Sequence, residues 1–172
     1  MLKLFGSVLI LGACCSLGLA AQQQLRQRLC ALESMLSALD YISAEITCRM
    51  TPLPALIEHL AASPERATTC VFSAVLRELR TEDGCSLPYK WCRAFHTSRA
   101  DAGLGEEETL ALCDMAAFLG RYDASQQTKE LDYVRSRLCE IRERVREETH
   151  IRGRLYRSCG VAIGVMTVLI LL

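Results

Sequence analysis

LRQRLCALESMLSALDYISAEI, residues 25–46, decides the fold. Leu25, Leu29, Leu32, Leu36, Leu39 and Ile46 recur at alternating steps of four and three, and Ser43 stands at the one step without an apolar side chain. Such spacing draws a stripe along one face of an α-helix that must be covered by something apolar. A strand would need period two, and no stretch of the chain alternates that way between turns. Near the far end, LDYVRSRLCEIRERV, residues 131–145, carries a second stripe. There Leu131, Val134, Leu138, Ile141 and Val145 follow steps of three and four. Two long stripes at opposite ends of one domain should meet as an antiparallel pair. Burial of each such side chain is worth about 1.5–3 kcal/mol. Exposed pairs on the wet face, such as Asp132 with Arg135 and Glu140 with Arg144, add far less.

Between the stripes, shorter helices are marked by their punctuation. Thr51-Pro52 ends the first helix, because the residue before proline resists the α conformation. Thr51 is then predicted to cap a helix reaching Ala62, with Pro52 at its first position. Ser63-Pro64-Glu65 repeats that signal for a helix to Arg80. The polar run Thr81-Glu82-Asp83-Gly84 turns the chain, and a short helix follows over residues 87–96. Residues 101–105 read as a loop. Glu106, Glu107 and Glu108 fill a first helical turn, where carboxylates suit the positive end of the helix dipole. That helix should bury Leu110, Leu112, Met115, Ala116 and Leu119 and stop at Gly120. Asp123 should open the last and longest helix. The fold class is therefore all-α, a helical bundle, with an apolar segment at each end.

The two ends differ from everything between them. Residues 4–21, LFGSVLILGACCSLGLAA, hold no charge and would span about 27 Å as a helix, near a bilayer's hydrocarbon thickness. Residues 159–172, CGVAIGVMTVLILL, would span about 21 Å. That shortfall can be absorbed by snorkelling Arg154 and Arg157 and by local thinning of the bilayer. The expected division is a transmembrane segment over 1–21, a helical domain over 22–158 and a second transmembrane segment over 159–172. Of the 20 basic residues only Lys3 lies in the first apolar stretch and none follows Arg157. Arg26 and Arg28, then Arg142, Arg144, Arg146, Arg152, Arg154 and Arg157, flank the spans on their inner side. The positive-inside rule then places the domain in the cytoplasm, with the six arginines from Arg142 to Arg157 also against anionic lipid headgroups. A competing reading takes Leu11-Gly12-Ala13-Cys14 as a lipoprotein cleavage box and the chain as an exported lipoprotein.

Other classes find little support. The chain balances 20 basic against 20 acidic residues and has 6% aromatics, which suits neither a phosphate-binding face nor base stacking. Ten cysteines show no CxxC and no repeat, so neither a disulfide framework nor a zinc site is indicated. Unpaired cysteines agree with a reducing compartment. The nearest approach to a metal set is Cys85, Cys92 and His96, with Glu58 or His59 nearby, in a spacing zinc sites do not use. His59, His96 and His150 sit apart, with no nucleotide loop or hydrolase motif around them. The expectation is a protein with no enzymatic activity, cofactor, small-molecule substrate or nucleic-acid partner.

Several stretches in order resemble the stage III sporulation protein AB family. They are the opening Met1-Leu2-Lys3-Leu4 with Gly6, Glu45-Ile46 and Thr51-Pro52-Leu53-Pro54-Ala55-Leu56. Leu119-Gly120 with Asp123 and Gln127 follows, and then Arg154-Leu155-Tyr156-Arg157-Ser158 with Gly160 before a leucine-rich tail. The sequence departs from the family where Cys48-Arg49-Met50 replaces an aromatic-glycine pair and where Cys159 replaces leucine. The resemblance implies a part in endospore formation, within an assembly that links mother cell and forespore membranes. It also implies a cytoplasmic domain similar to those of type II secretion inner-membrane platform proteins. Such platforms couple a secretion-type ATPase to a membrane complex. On that reading the protein is a structural platform in the cell membrane, its domain facing the mother-cell cytoplasm. Its partners are the lipid bilayer and other stage III sporulation proteins. The candidate partner contact is Glu106, Glu107 and Glu108. A generic membrane-anchored scaffold is the remaining alternative.

Overall fold

The structure, a computed structural model, describes residues 2–49, 51–119 and 124–171, with side chains at 16, 20, 22–49, 51–119 and 126–151. Among these residues every regular element is helical. The order is α1 (Leu2–Arg49), α2 (Leu53–Ala61), α3 (Arg66–Arg80), α4 (Leu87–Ala102), α5 (Glu106–Asp114), a 3-10 turn (Met115–Ala117) and α6 (Ala124–Leu171). The chain divides into two compact units, Arg28–Glu143 and Met1–Gln27 with Arg144–Leu172. The first lies inside the expected domain 22–158. Gly120 and Asp123, the expected stop and start signals, lie outside the described residues.

In the unit Arg28–Glu143 both stripes enter the core, with Leu29 half-buried at the edge of the first. Leu32, Leu36, Leu39 and Ile46 are buried on α1, as are Leu131, Val134, Leu138 and Ile141 on α6. Two polar contacts fix how these helices run. Arg135 bonds Asp40 at 2.5 Å, and the hydroxyls of Thr47 and Thr128 lie 3.3 Å apart. Moving seven residues forward on α1 moves the contact seven residues back on α6, which is an antiparallel pairing. Arg135 thus turns to Asp40 across the helix pair. The sequence had suggested Asp132 on its own helix as the partner.

The middle helices close over this pair. α3 packs against both α2 and α4, and α5 against α4. Their centre is aromatic. Trp91 stacks on Phe95 with centroids 5.3 Å apart and meets the edge of Phe72 at 6.0 Å. Its indole N–H donates to the Leu112 carbonyl at 3.0 Å, satisfying a buried donor and tying α4 to α5. The arrangement also explains why α4 runs past His96, where the sequence had ended it. Ala94, Phe95, Ser98 and Ala102 continue one buried face, and the Ser98 hydroxyl returns to the Ala94 carbonyl at 2.7 Å. Gly103 then takes φ 78°, the left-handed cap that stops the helix at little steric cost.

Thr51 and Ser63 do not cap helices in the way predicted. α2 and α3 start after Pro52 and Glu65, neither with a side-chain cap. The Thr51 hydroxyl donates instead to Glu45 at 2.6 Å. Glu45 is buried at the end of α1 and also accepts from Arg49 at 3.0 Å. A buried carboxylate needs donors more than a solvated helix start needs a cap. On α5, Leu110 is 47% exposed, against the burial expected of it.

Candidate functional site

α5 carries the acidic run, and the structure separates its members. Glu106 is exposed and stands 3.8 Å from Arg99, and Glu107 is also exposed. Glu108 has no exposure at all. It shares a face with buried Ala111, Leu112 and Met115, at steps of three, four and seven. The expectation that all three carboxylates face solvent is therefore corrected. Helix geometry turns the third one inward, because successive residues are rotated by about 100°.

A positive side chain meets Glu108 there. Arg28 Nε donates to Glu108 Oε1 at 2.6 Å, from a side chain 30% exposed. The positive-inside rule assigns Arg28 only to topology. Arg28 occupies the core-facing side of α1 together with Ala31, Leu32 and Met35, all buried. Glu108 is the third residue of α5 after the N-cap Gly105. From that place a glutamate ordinarily reaches back to the N-cap amide, but here it reaches across to α1. Its other oxygen, Oε2, makes no hydrogen bond among the described residues. Gly105 is the space that permits this. A Cβ there would collide with Glu108 Oε2 and stand 2.7 Å from Arg28 Nη2. Thr109 secures the same turn, its hydroxyl donating to the Gly105 carbonyl at 2.7 Å. The outward side of α5 is left with Glu106, Glu107, Leu110 and Asp114. Asp114 accepts from Arg137 on α6 at 3.3 Å.

A second charged cluster holds the α3–α4 turn. Lys90, 8% exposed, donates to the Thr81 carbonyl and pairs with Asp83 at 2.9 Å. Arg93 bonds both Glu78 and Asp83. Lys90, with Arg93 beside it, holds the Asp83 carboxyl well below the usual carboxylate range. This cluster braces a turn, and no residue pattern signals the burial of Lys90.

The arginines near the apolar ends divide as well. Arg142 bonds Glu143 at 2.8 Å, and Arg144 and Arg146 are exposed. Arg152, Arg154 and Arg157 lie outside the described side chains. Among the described residues no helix is long and apolar enough to cross a membrane. The apolar segments 4–21 and 159–172 fall, except for Ser16 and Ala20, on residues whose side chains lie outside that description.

Cys85, Cys92 and His96 are not gathered into a metal set. Among the described residues no group of three or more His, Cys, Asp and Glu is placed to hold an ion. Cys85 is exposed on the turn before α4, and Cys92 faces Cys113. His59 stacks on Tyr41 at 4.8 Å, forming one wall of an open cleft of about 330 Å³ between α1 and the α2–α3 turn. His96 and His150 stand exposed on other helices.

The stage III sporulation protein AB family model matches residues 3–172. The chain belongs to that family. A solved structure of stage III sporulation protein AB (SpoIIIAB) resembles the fold, with a TM-score of 0.63 and 20% identity. The similarity covers 72% of this chain and 96% of that one. No curated protein matches the chain. Membership places the protein among the stage III sporulation proteins, and the helical bundle is the fold it shares with the solved structure.

Proposed function

We propose that this protein is a membrane-anchored assembly platform of the sporulation machinery. It acts by holding a partner at the membrane and not by catalysis. The observation that carries the reading is the placement of the apolar segments. α1 and α6 are each single helices of 48 residues, and the uncharged segments 4–21 and 159–172 lie at the chain ends of these two helices. The bundle supplies rigid surfaces, and the ends supply attachment on the cytoplasmic side of the mother-cell membrane. In type II secretion, domains of this kind couple a cytoplasmic ATPase to a membrane complex. A secretion-type ATPase and other stage III proteins are the partners this reading assigns.

The outward face of α5 is the contact we favour. Glu108 belongs to the core, so the face consists of Glu106 and Glu107 with Leu110 between them and Asp114. A half-exposed leucine rimmed by carboxylates suits a partner with a basic rim around an apolar spot. The arginines Arg142, Arg144, Arg146, Arg152, Arg154 and Arg157 suit anionic lipid at the same membrane surface.

Replacing the chain by residues 22–158 in sporulating cells tests the reading. The anchorless domain should be made and folded yet give few spores. Full spore yield from it at native expression would show that holding a partner at the membrane is not what the protein does.

A further inference from the structure

Ten cysteines are spread over the chain, and two of those on different helices are brought together. Cys92 on α4 and Cys113 on α5 are 21 positions apart, with the Cys92 sulfur 3.8 Å from the Cys113 carbonyl oxygen. Cys92 also adjoins the Cys113 side chain. The preceding residues make the neighbouring contact, Trp91 Nε1 to the Leu112 carbonyl. The α4–α5 register that faces the two sulfurs is therefore fixed by a buried aromatic anchor. The members differ in setting. Cys92 is half-buried and Cys113 is buried. Burial and the adjacent Cys92 push the Cys113 thiol up to about 12, so Cys113 keeps its proton while Cys92 is the side that solutes reach.

We propose that Cys92 and Cys113 form a reversible dithiol–disulfide site that responds to hydroperoxides. The Cys92 thiolate attacks one oxygen of the peroxide. The O–O bond breaks, water leaves after taking up a proton, and Cys92 becomes a sulfenic acid. The Cys113 sulfur then attacks the Cys92 sulfur, the S–O bond breaks, and the departing hydroxide takes the Cys113 proton to leave as a second water. Two thiols and one hydrogen peroxide thus give one disulfide and two waters, the peroxide being the two-electron oxidant. The bond ties α4 to α5 across the left-handed turn at Gly103. It thereby fixes the helix that carries Glu106, Glu107 and Glu108, the last of them paired with Arg28 of α1. A low-molecular-weight thiol reverses it by exchange.

The test uses the full-length protein, reduced and held in detergent, with hydrogen peroxide added stoichiometrically and peptides mapped without reduction. A peptide pair joined through Cys92 and Cys113, lighter by two hydrogens and released by dithiothreitol, is the expected product. The C113A variant should leave Cys92 as a trappable sulfenic acid, and C85S should behave as the parent. The proposal is overturned if the parent joins Cys92 to a different cysteine, or if Cys92 proceeds to the sulfinic acid with Cys113 still free. It is equally overturned if neither residue reacts. The parent map decides these outcomes even where C113A fails to fold.

Discussion

Removing Arg28 should cost more than removing the carboxylate it holds. In the Arg28→Ala variant, the Glu108 carboxyl would lose its cation at a site with no exposure, with Oε2 already lacking a hydrogen bond. Breaking a buried pair from one side costs about 3–5 kcal/mol. Arg28 is 30% exposed, so water screens the pair in part and the lower end, about 3 kcal/mol, is the working figure. In Glu108→Ala the surviving guanidinium can turn into water from that exposed position, and the loss should be about 1–2 kcal/mol. The double variant should resemble Glu108→Ala alone, which gives a coupling of about 3 kcal/mol in the cycle. Trp91 reports the unfolding directly, since it is the sole tryptophan and is 1% exposed. With a urea slope of about 1–3 kcal/mol per molar, Arg28→Ala should lower the midpoint by at least about 1 M. Gly105→Ala should act in the same direction by driving the carboxylate off its perch. Equal midpoints for Arg28→Ala and Glu108→Ala, or additive effects in the double variant, would refute the buried pair as described.

Four further expectations can be checked alongside. Leu138→Asp places an unpaired charge at a site with no exposure and should abolish the cooperative Trp91 transition. Reversing only Glu106 and Glu107 to lysine should move the urea midpoint by no more than the equivalent of about 0.5 kcal/mol, because both side chains are exposed; a larger loss would place them in the fold and not on a partner face. Cys113 ionises less readily folded than unfolded, so between about pH 9 and 12 the folded state binds more protons and stability should fall as pH rises, a decline that Cys113→Ala removes. Asp83 is shifted the other way, so its contribution is present above the ordinary carboxylate range and should be lost as pH falls below about 4; an unchanged acid midpoint in Asp83→Asn would contradict it.

The apolar positions were legible because helix periodicity reports burial directly. Leu32, Leu36, Leu39, Leu131, Leu138 and Ile141 are core where the four-three rhythm placed them, while Leu25 and Leu29 at the start of the first stripe are half-buried. The prolines marked where α2 and α3 begin, although the nearby hydroxyls serve other groups. Charged residues were harder to read, since their residue type outweighs their position. Three consecutive glutamates read as one solvated patch. Yet Glu108 sits three, four and seven residues before Ala111, Leu112 and Met115, and that spacing was in view. Arg28 stands in the same relation to Ala31, Leu32 and Met35. Each could be suspected of facing inward. That they face each other could not be read, because 80 positions separate them. The Cys92–Cys113 approach was hidden for the same reason: it depends on the turn at Gly103 and the Trp91 contact, not on spacing along the chain.

The pairing of α1 with α6 has a consequence for how the protein is made. Asp40 waits for a partner 95 positions later, and Thr47 for one 81 positions later. The leucines of the first helix are thus synthesised long before the helix that covers them. α2, α3 and α4 can pack in order as they emerge, each against its neighbour, and the aromatic cluster can assemble from residues 72–95 alone. The flank of α1 that carries Asp40 and Thr47 lacks its α6 partners until residues 128–135 have been made. Closing so long a loop is the slow event in such topologies, and exposed apolar flanks are where aggregation starts. Truncations near residue 120 should therefore be captured by chaperones or degraded, whereas chains extended past Val145 should escape both fates.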